Sequence, residues 1–373
     1  MYIPETSDDA EARERVELSA RYERLLEIFQ HKGDAECSNG FSSLDAPPDE
    51  FCDFEKLRRI PFTDCGEDTG SNGIVGQGCV SRRDFLRGIL VSGLKQWTRY
   101  GTNPFEVGVS AATDTHNGTP GRVDEATYVG HFGDREIDRE GRLFAAVPSG
   151  PRNSPGGLLA VWAEENSRGA LFDAMQRREV YGTSGPRIGV RMFAGDLPED
   201  LCDRGDFVSA ADAAGVPMGA TLEGYEGAAM RVAVRAERDV GTPTAPGRGL
   251  ERLQVVKGWI GTDGSPRVEV IDVDGIEEPV GVDEATCAPT GEGRPSLCAV
   301  WIDPNFDPNT PTWYYARVLE APVCRWSWRD CLSYPASERP ELCDDPVMPR
   351  QIRERAWTSP VWSYPRSVQA ASD

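Results

Sequence analysis

Apolar positions fall in short compact runs through the first half of the chain and alternate with polar ones through much of the second. "RLLEIFQ" (Arg24–Gln30) gathers Leu25, Leu26, Ile28 and Phe29, the pattern of a strand covered on both faces. Asp84 reads as a helix cap, followed by Phe85, Leu86, Ile89, Leu90, Leu94 and Trp97 at helical spacing and by Gly101 as the stop. "FEVGVSAATD", "GLLAVWA" (Gly157–Ala163) and "IGVRMFAG" (Ile188–Gly195) are further strands, and a helix capped by Ser167 carries Leu171, Phe172 and Met175. Strands alternating with helices predict a mostly parallel sheet or a β/α barrel. Past residue 200 the period becomes 2. "AMRVAVRAE" alternates, "ERLQVVKGWI" and "PRVEVIDVDG" flank an Asp263-Gly264 turn, and "TWYYARVLE" (Thr312–Glu320) follows. This half predicts an antiparallel β-sandwich, with one short helix near Gln351–Ala356.

Composition adds a compartment. A length of 373 residues suggests two domains. The net charge of −21 disfavours nucleic acid and anionic membranes as partners. No apolar run approaches the ~18 residues of a membrane span, and the charged N-terminus lacks the core of a signal peptide. The ten cysteines form no C-x-x-C pair, which argues against zinc ribbons. Their placement in turn-rich segments predicts a disulfide framework, and residues 33–80 read as an irregular excursion held by it. An oxidising compartment follows, periplasmic or extracellular. An exported chain without an export signal is consistent only if Met1 is not the natural start.

Ligands of α/β proteins collect beyond the carboxyl ends of strands. Two polar clusters fall there. Glu27 lies late in its strand, with His31, Lys32 and Asp34 directly after, and Asp114 and His116 close the next strand. Carboxylate and imidazole groups from neighbouring strand ends suit one divalent ion, which lowers the pKa of bound water. Each also has a plainer reading: Asp-x-His as a polar turn, His31 as a surface residue, His131 in "YVGHFGD" as a loop residue, Glu164 and Glu165 as helix-start acids. "YGTSGPR" lacks the full G-x-S-x-G pattern of a serine hydrolase.

Together, "LLEIFQHKGDAEC", "NPFEVGVSAATDTHNG", "GLLAVWAEENSRGALFDAMQRREVYGTSGPRIGVRMFAG", "GVPMGA", "LQVVKGWI" and "ERAWTSPVW" resemble, in that order, the bacterial family known as domain of unknown function 3604. That family is similar to the PHP (polymerase and histidinol phosphatase) superfamily of metal-dependent hydrolases. The resemblance implies the C-terminal part of a distorted PHP-like β/α barrel over residues 1–198 and a β-sandwich-like domain over 199–373. It implies metal ligation by Glu27, Asp114 and His116, with His31 and Asp34 as catalytic candidates and Zn, Mn or Fe as the ion. The expected reaction is hydrolysis of a small-molecule phosphoester or a related ester or carbamate. The superfamily's opening His-x-His motif is absent, so the chain resembles a C-terminal fragment, inactive by itself. The rival reading is a secreted, disulfide-stapled protein that binds a ligand or carbohydrate without chemistry, through Trp313-Tyr314-Tyr315 and Trp326-Trp328.

Overall fold

The computed structural model of the chain describes residues 9–366, apart from 42–43, 45–46, 67, 69–77, 146–149, 228, 244 and 347. Its elements in chain order are α1 (Asp9–Tyr22), β1 (Leu25–Gln30), β2 (Gly33–Asp34), α2 (Leu86–Tyr100), β3 (Gly108–Ala111), α3 (Arg139–Leu143), β4 (Leu158–Val161), α4 (Arg168–Arg177), β5 (Val180–Thr183), β6 (Gly189–Gly195), α5 (Phe207–Asp212), β7 (Gly215–Pro217), β8 (Thr221–Glu223) and β9 (Arg231–Glu237). There follow β10 (Leu250–Ile260), β11 (Pro266–Gly275), β12 (Ser296–Ile302), β13 (Thr312–Glu320), α6 (Trp326–Leu332), β14 (Arg355–Thr358) and β15 (Val361–Tyr364). Shorter ribbons and 3-10 turns join them.

Three layers result. The middle one is an eight-stranded sheet with the path β11-β10-β13-β14-β5-β4, to which β15 and β8 add beside β13. A four-stranded sheet, β12-β9-β6-β7, covers one face. The three-stranded sheet β2-β1-β3 and helix α2 cover the other. β13 shows why its sequence is apolar almost throughout. Tyr314, Ala316 and Val318 point into the core shared with Val190, Met192, Val232 and Val234, while Trp313 and Tyr315 point into the core shared with Phe29, Leu90 and Val109. A period of 2 with both faces covered leaves no solvent side.

The predicted β/α barrel is not what the chain forms. Among the described residues the sheets are mostly antiparallel and none closes. Only β1 with β3 and β15 with β8 pair in parallel. The misleading unit is β4-α4-β5. A parallel crossover must carry the chain back along the whole strand before re-entering the sheet. Here the chain leaves at Val161 and re-enters opposite it at Val180, so α4 is an insertion in the end of a hairpin. β4 and β5 then join the same sheet as β10 and β13, and strands from both sides of residue 198 share it. Near Gln351–Ala356 the chain is strand rather than helix, because Ala356 and Trp357 pair with both β13 and β5. Asp84 caps no α-helix. Its carboxylate accepts from Ser81 N (3.1 Å) and closes the capping box of a 3-10 turn, and α2 begins after it.

Five disulfides staple the connections: Cys37–Cys52, Cys65–Cys79, Cys202–Cys298, Cys287–Cys324 and Cys331–Cys343. Ten cysteines so paired fit an oxidising environment. Among the described residues no helix is long and apolar enough to cross a membrane.

Candidate functional site

β1 and β3 run side by side in parallel, so their carboxyl ends open at one edge. A register shift between Glu27 and Phe29 lets Ile28 and Phe29 both bury. Glu27, opposite Ser110, is left exposed on the outer face, not enclosed as an apolar run suggests. Past the pairing, His31 N donates to Thr113 O (3.1 Å), and Ser154 N donates to His31 O (2.9 Å). These bonds fix His31 between the end of β3 and the loop before β4. The loop comes close because Gly156 allows it: at φ +89°, a Cβ there would lie 2.6 Å from Thr113 Cα. Asp114 has φ +50°, a left-handed conformation that Asp tolerates better than most residues.

The histidine cluster follows from this. The His31 ring is fully buried and stacks on His131 at 3.7 Å between centroids, and His116 meets His131 edge-on at 4.5 Å. All three histidines of the chain are thus in one group. His116 N donates to His131 O (2.9 Å), and His131 N donates to the Glu136 carboxylate. His31 Nε2 lies 3.6 Å from Asp114 Oδ2. The Lys32 ammonium sits against both, 3.0 Å from His31 Nε2 and hydrogen-bonded to Asp114.

The electrostatics keep the His31 and His131 imidazoles neutral and Asp114 charged. Burial pushes His31 down to about 3, with His131 and Lys32 adding to the effect. Burial and His116 also lower His131. Burial works against the Asp114 carboxylate, but Lys32 holds it below the ordinary range. Glu27 is raised, by partial burial and then by Asp114. Asn153 Nδ2 lies 3.1 Å from His31 Nδ1. A neutral imidazole has one lone pair. The Nδ1 side of the ring thus faces Asn153, and the Nε2 side faces Lys32 and Asp114.

Two donors on one tetrahedral ion at ~2.1 Å stand roughly 3.4 Å apart. His31 Nε2 and Asp114 Oδ2 are near that separation, with a cationic ammonium beside them, and His131 Nδ1 is buried without a partner. The donor set therefore suits a divalent cation in the place Lys32 now takes. The wider group is looser. Among the described residues, the one trio of potential ligand atoms within 4.8 Å of one another is Cys37, Asp49 and Cys52, whose sulfurs are joined in a disulfide.

Of the residues singled out in the sequence, Glu27, His31, Asp114 and His116 share this edge, and Asp34 does not. Three residues after His31 its side chain turns inward, ion-paired with Lys56, and its Oδ1 accepts from Glu36 N (3.0 Å). Burial pushes Asp34 up and Lys56 down. Sequence reading missed His131, Asn153 and the contact role of Lys32. The one usable signal was that His131 is the remaining histidine of three. The proposed aromatic platform is packed away: Trp313, Tyr314 and Tyr315 have no exposed area, and Trp326 and Trp328 are buried. Ser184 of "YGTSGPR" is also buried, donating to Glu354 (2.5 Å).

A family model described as "Protein of unknown function (DUF3604)" matches residues 1–365, and the chain belongs to that family. No curated protein and no solved structure matches it.

Proposed function

We propose that this member of the DUF3604 family is a metal-dependent hydrolase of phosphoester or related ester or carbamate bonds, working outside the cytoplasm. The observation that carries the reading is the meeting of all three histidines with Asp114 at the open ends of two parallel strands, with Glu27 further back on β1 close enough to feel the Asp114 charge. A divalent ion (Zn, Mn or Fe) held by His31 and Asp114, with His116, His131 and Glu27 nearest, would polarise the scissile bond and supply hydroxide at neutral pH. The protein's own groups prepare for it. His31 is held neutral, which favours a ligand role over general acid catalysis near pH 7. Asn153 orients that imidazole from the other side, as outer partners of metal-bound histidines do. The raised Glu27 carboxyl is placed to exchange a proton at the site edge. Lys32 must swing aside, and its half-buried ammonium, about a third open to solvent (34%), leaves it a way out. The five disulfides support an extracellular or periplasmic setting.

The test is metal content by plasma mass spectrometry after equilibration with Zn²⁺ or Mn²⁺, beside an Asp114→Ala/His116→Ala variant. Turnover of bis(4-nitrophenyl) phosphate and 4-nitrophenyl acetate is followed in both. Stoichiometric metal and turnover, both lost in the variant, support the reading. Metal-free, inactive protein in both cases overturns it for this chain.

A further inference from the structure

A cavity of about 380 Å³ lies apart from the histidine cluster, none of whose residues lines it. Its walls come from the turn after β5, Gly241 and residues 246–248, the loop around 282–289, and the chain just past β13. Glu125, Glu320 and Glu354 line it, each more than nine-tenths buried, together with Arg248. Glu354 accepts from Ser184 Oγ, and Glu125 Oε2 accepts from Trp326 N (2.5 Å). Glu125 Oε1, Glu320 Oε1 and Arg248 Nε are buried with no hydrogen-bond partner. A buried polar atom left without a partner is costly. Three of them, two acceptors and one donor, belong to side chains lining the same cavity. Between them run apolar walls that include Val123, Val282 and Val323.

We propose that this cavity binds a small organic zwitterion, its ammonium held by Glu125 and Glu320, its carboxylate by Arg248, and its aliphatic body against the valines. A bare divalent ion fits less well, since the three carboxylates do not bring ligand atoms within 4.8 Å of one another. Burial pushes Glu125 up to about 8 and Glu320 and Glu354 well above the usual carboxylate range. Arg325 and Arg329 near Glu125, and Arg248 and Arg238 near Glu320, offset this only in part. An incoming ammonium supplies the missing countercharge. The site is independent of the hydrolase reading.

Titration calorimetry with 6-aminohexanoate, hexylammonium and hexanoate tests it, because the flexible six-carbon chain lets each end find its partner. Saturable 1:1 binding of 6-aminohexanoate is expected, at least tenfold weaker for hexylammonium and absent for hexanoate. Glu320→Gln should weaken it at least tenfold. Ala126→Trp, an exposed position on the rim, should abolish it while leaving the carboxylates and the melting temperature unchanged. The Asp114→Ala/His116→Ala variant should bind normally, which separates this site from the histidine cluster. No saturable binding by any probe overturns the proposal. So does equal affinity for hexylammonium and 6-aminohexanoate, or undiminished binding in both cavity variants.

Discussion

His31 and Asp34 are three residues apart, yet the tight β1-β2 turn sends them into opposite worlds. His31 enters a cluster whose polar atoms are only partly used. Asp34 enters a buried network in which almost every polar atom is spoken for. There the Glu36 carboxylate accepts from Arg87 (2.8 Å), Tyr315 (2.6 Å), Arg317 (3.1 Å) and Trp357 (2.8 Å). Asp49 accepts from Arg87 (2.7 Å) and Arg317 (2.9 Å). Burial alone would raise Glu36, but Arg317, Arg87 and Arg355 hold it far below the usual carboxylate range. A saturated network has no valence left for a ligand and joins the 36–56 excursion to the central sheet. An unsaturated one, at a strand end with the Lys32 ammonium against it, has capacity to spare. The same residue types serve structure or chemistry according to what remains unpaired.

The largest test of that contrast is Arg317→Met. It leaves Glu36 and Asp49 with Arg87 alone of the two guanidiniums they share, and breaking a buried pair costs on the order of 3–5 kcal/mol. Chemical denaturation should show that loss; a change under about 1 kcal/mol would dissolve the distinction between the regions. Asp34→Asn comes next, with an expected loss of roughly 1–3 kcal/mol from the buried Lys56 partner. Turnover per folded molecule should be unchanged, and a selective fall in kcat would move Asp34 back into the site. His116→Ala lies at the other extreme. As an exposed side chain it should shift stability by no more than about 0.5 kcal/mol, while metal binding falls at least tenfold. An unfolding effect as large as that of Arg317→Met would make the cluster structural.

The smallest effect is in pH. His31 titrates near 3 in the fold, against about 6.5 for a free imidazole. A depressed histidine stabilises fully above its unfolded pKa, so this contribution is intact above about pH 6.5 and fades as pH falls towards 3. Glu36, also depressed, keeps its contribution above its unfolded value near 4.5 and loses it only below. Imidazole resonances followed by NMR should show His31 neutral at pH 5. A midpoint above about 6 would remove the basis for treating it as a neutral ligand.

Part of the candidate cluster was legible. His31, Asp114 and His116 were singled out because they follow apolar runs, where a strand must stop and polar groups gather, and Glu27 because it is a carboxylate inside such a run. His131 was not, since nothing local distinguishes "YVGHFGD" from any polar loop. Its place is set by the stacking on His31 and by the Glu136 carboxylate. Asp34 was misplaced because sequence adjacency to His31 cannot show that the chain reverses at His31-Lys32 and turns Asp34 inward.

What the sequence alone determined is local: the apolar runs that become β1, β3, β6, β9 and β13, the Ser167 cap of α4, the left-handed Gly101 that ends α2, and an even set of cysteines. These depend on neighbours a few residues away. What only the tertiary structure decided is which strands pair, in which direction, and which charges meet. Leu158–Val161 is as compatible with a parallel partner as with an antiparallel one until Val180 lies opposite Val161. Nothing in "TWYYARVLE" shows that Arg317 will meet Glu36 and Asp49, which the excursion delivers to it. Direction and partnership are properties of chain return over long separations, and residue pattern carries no record of them.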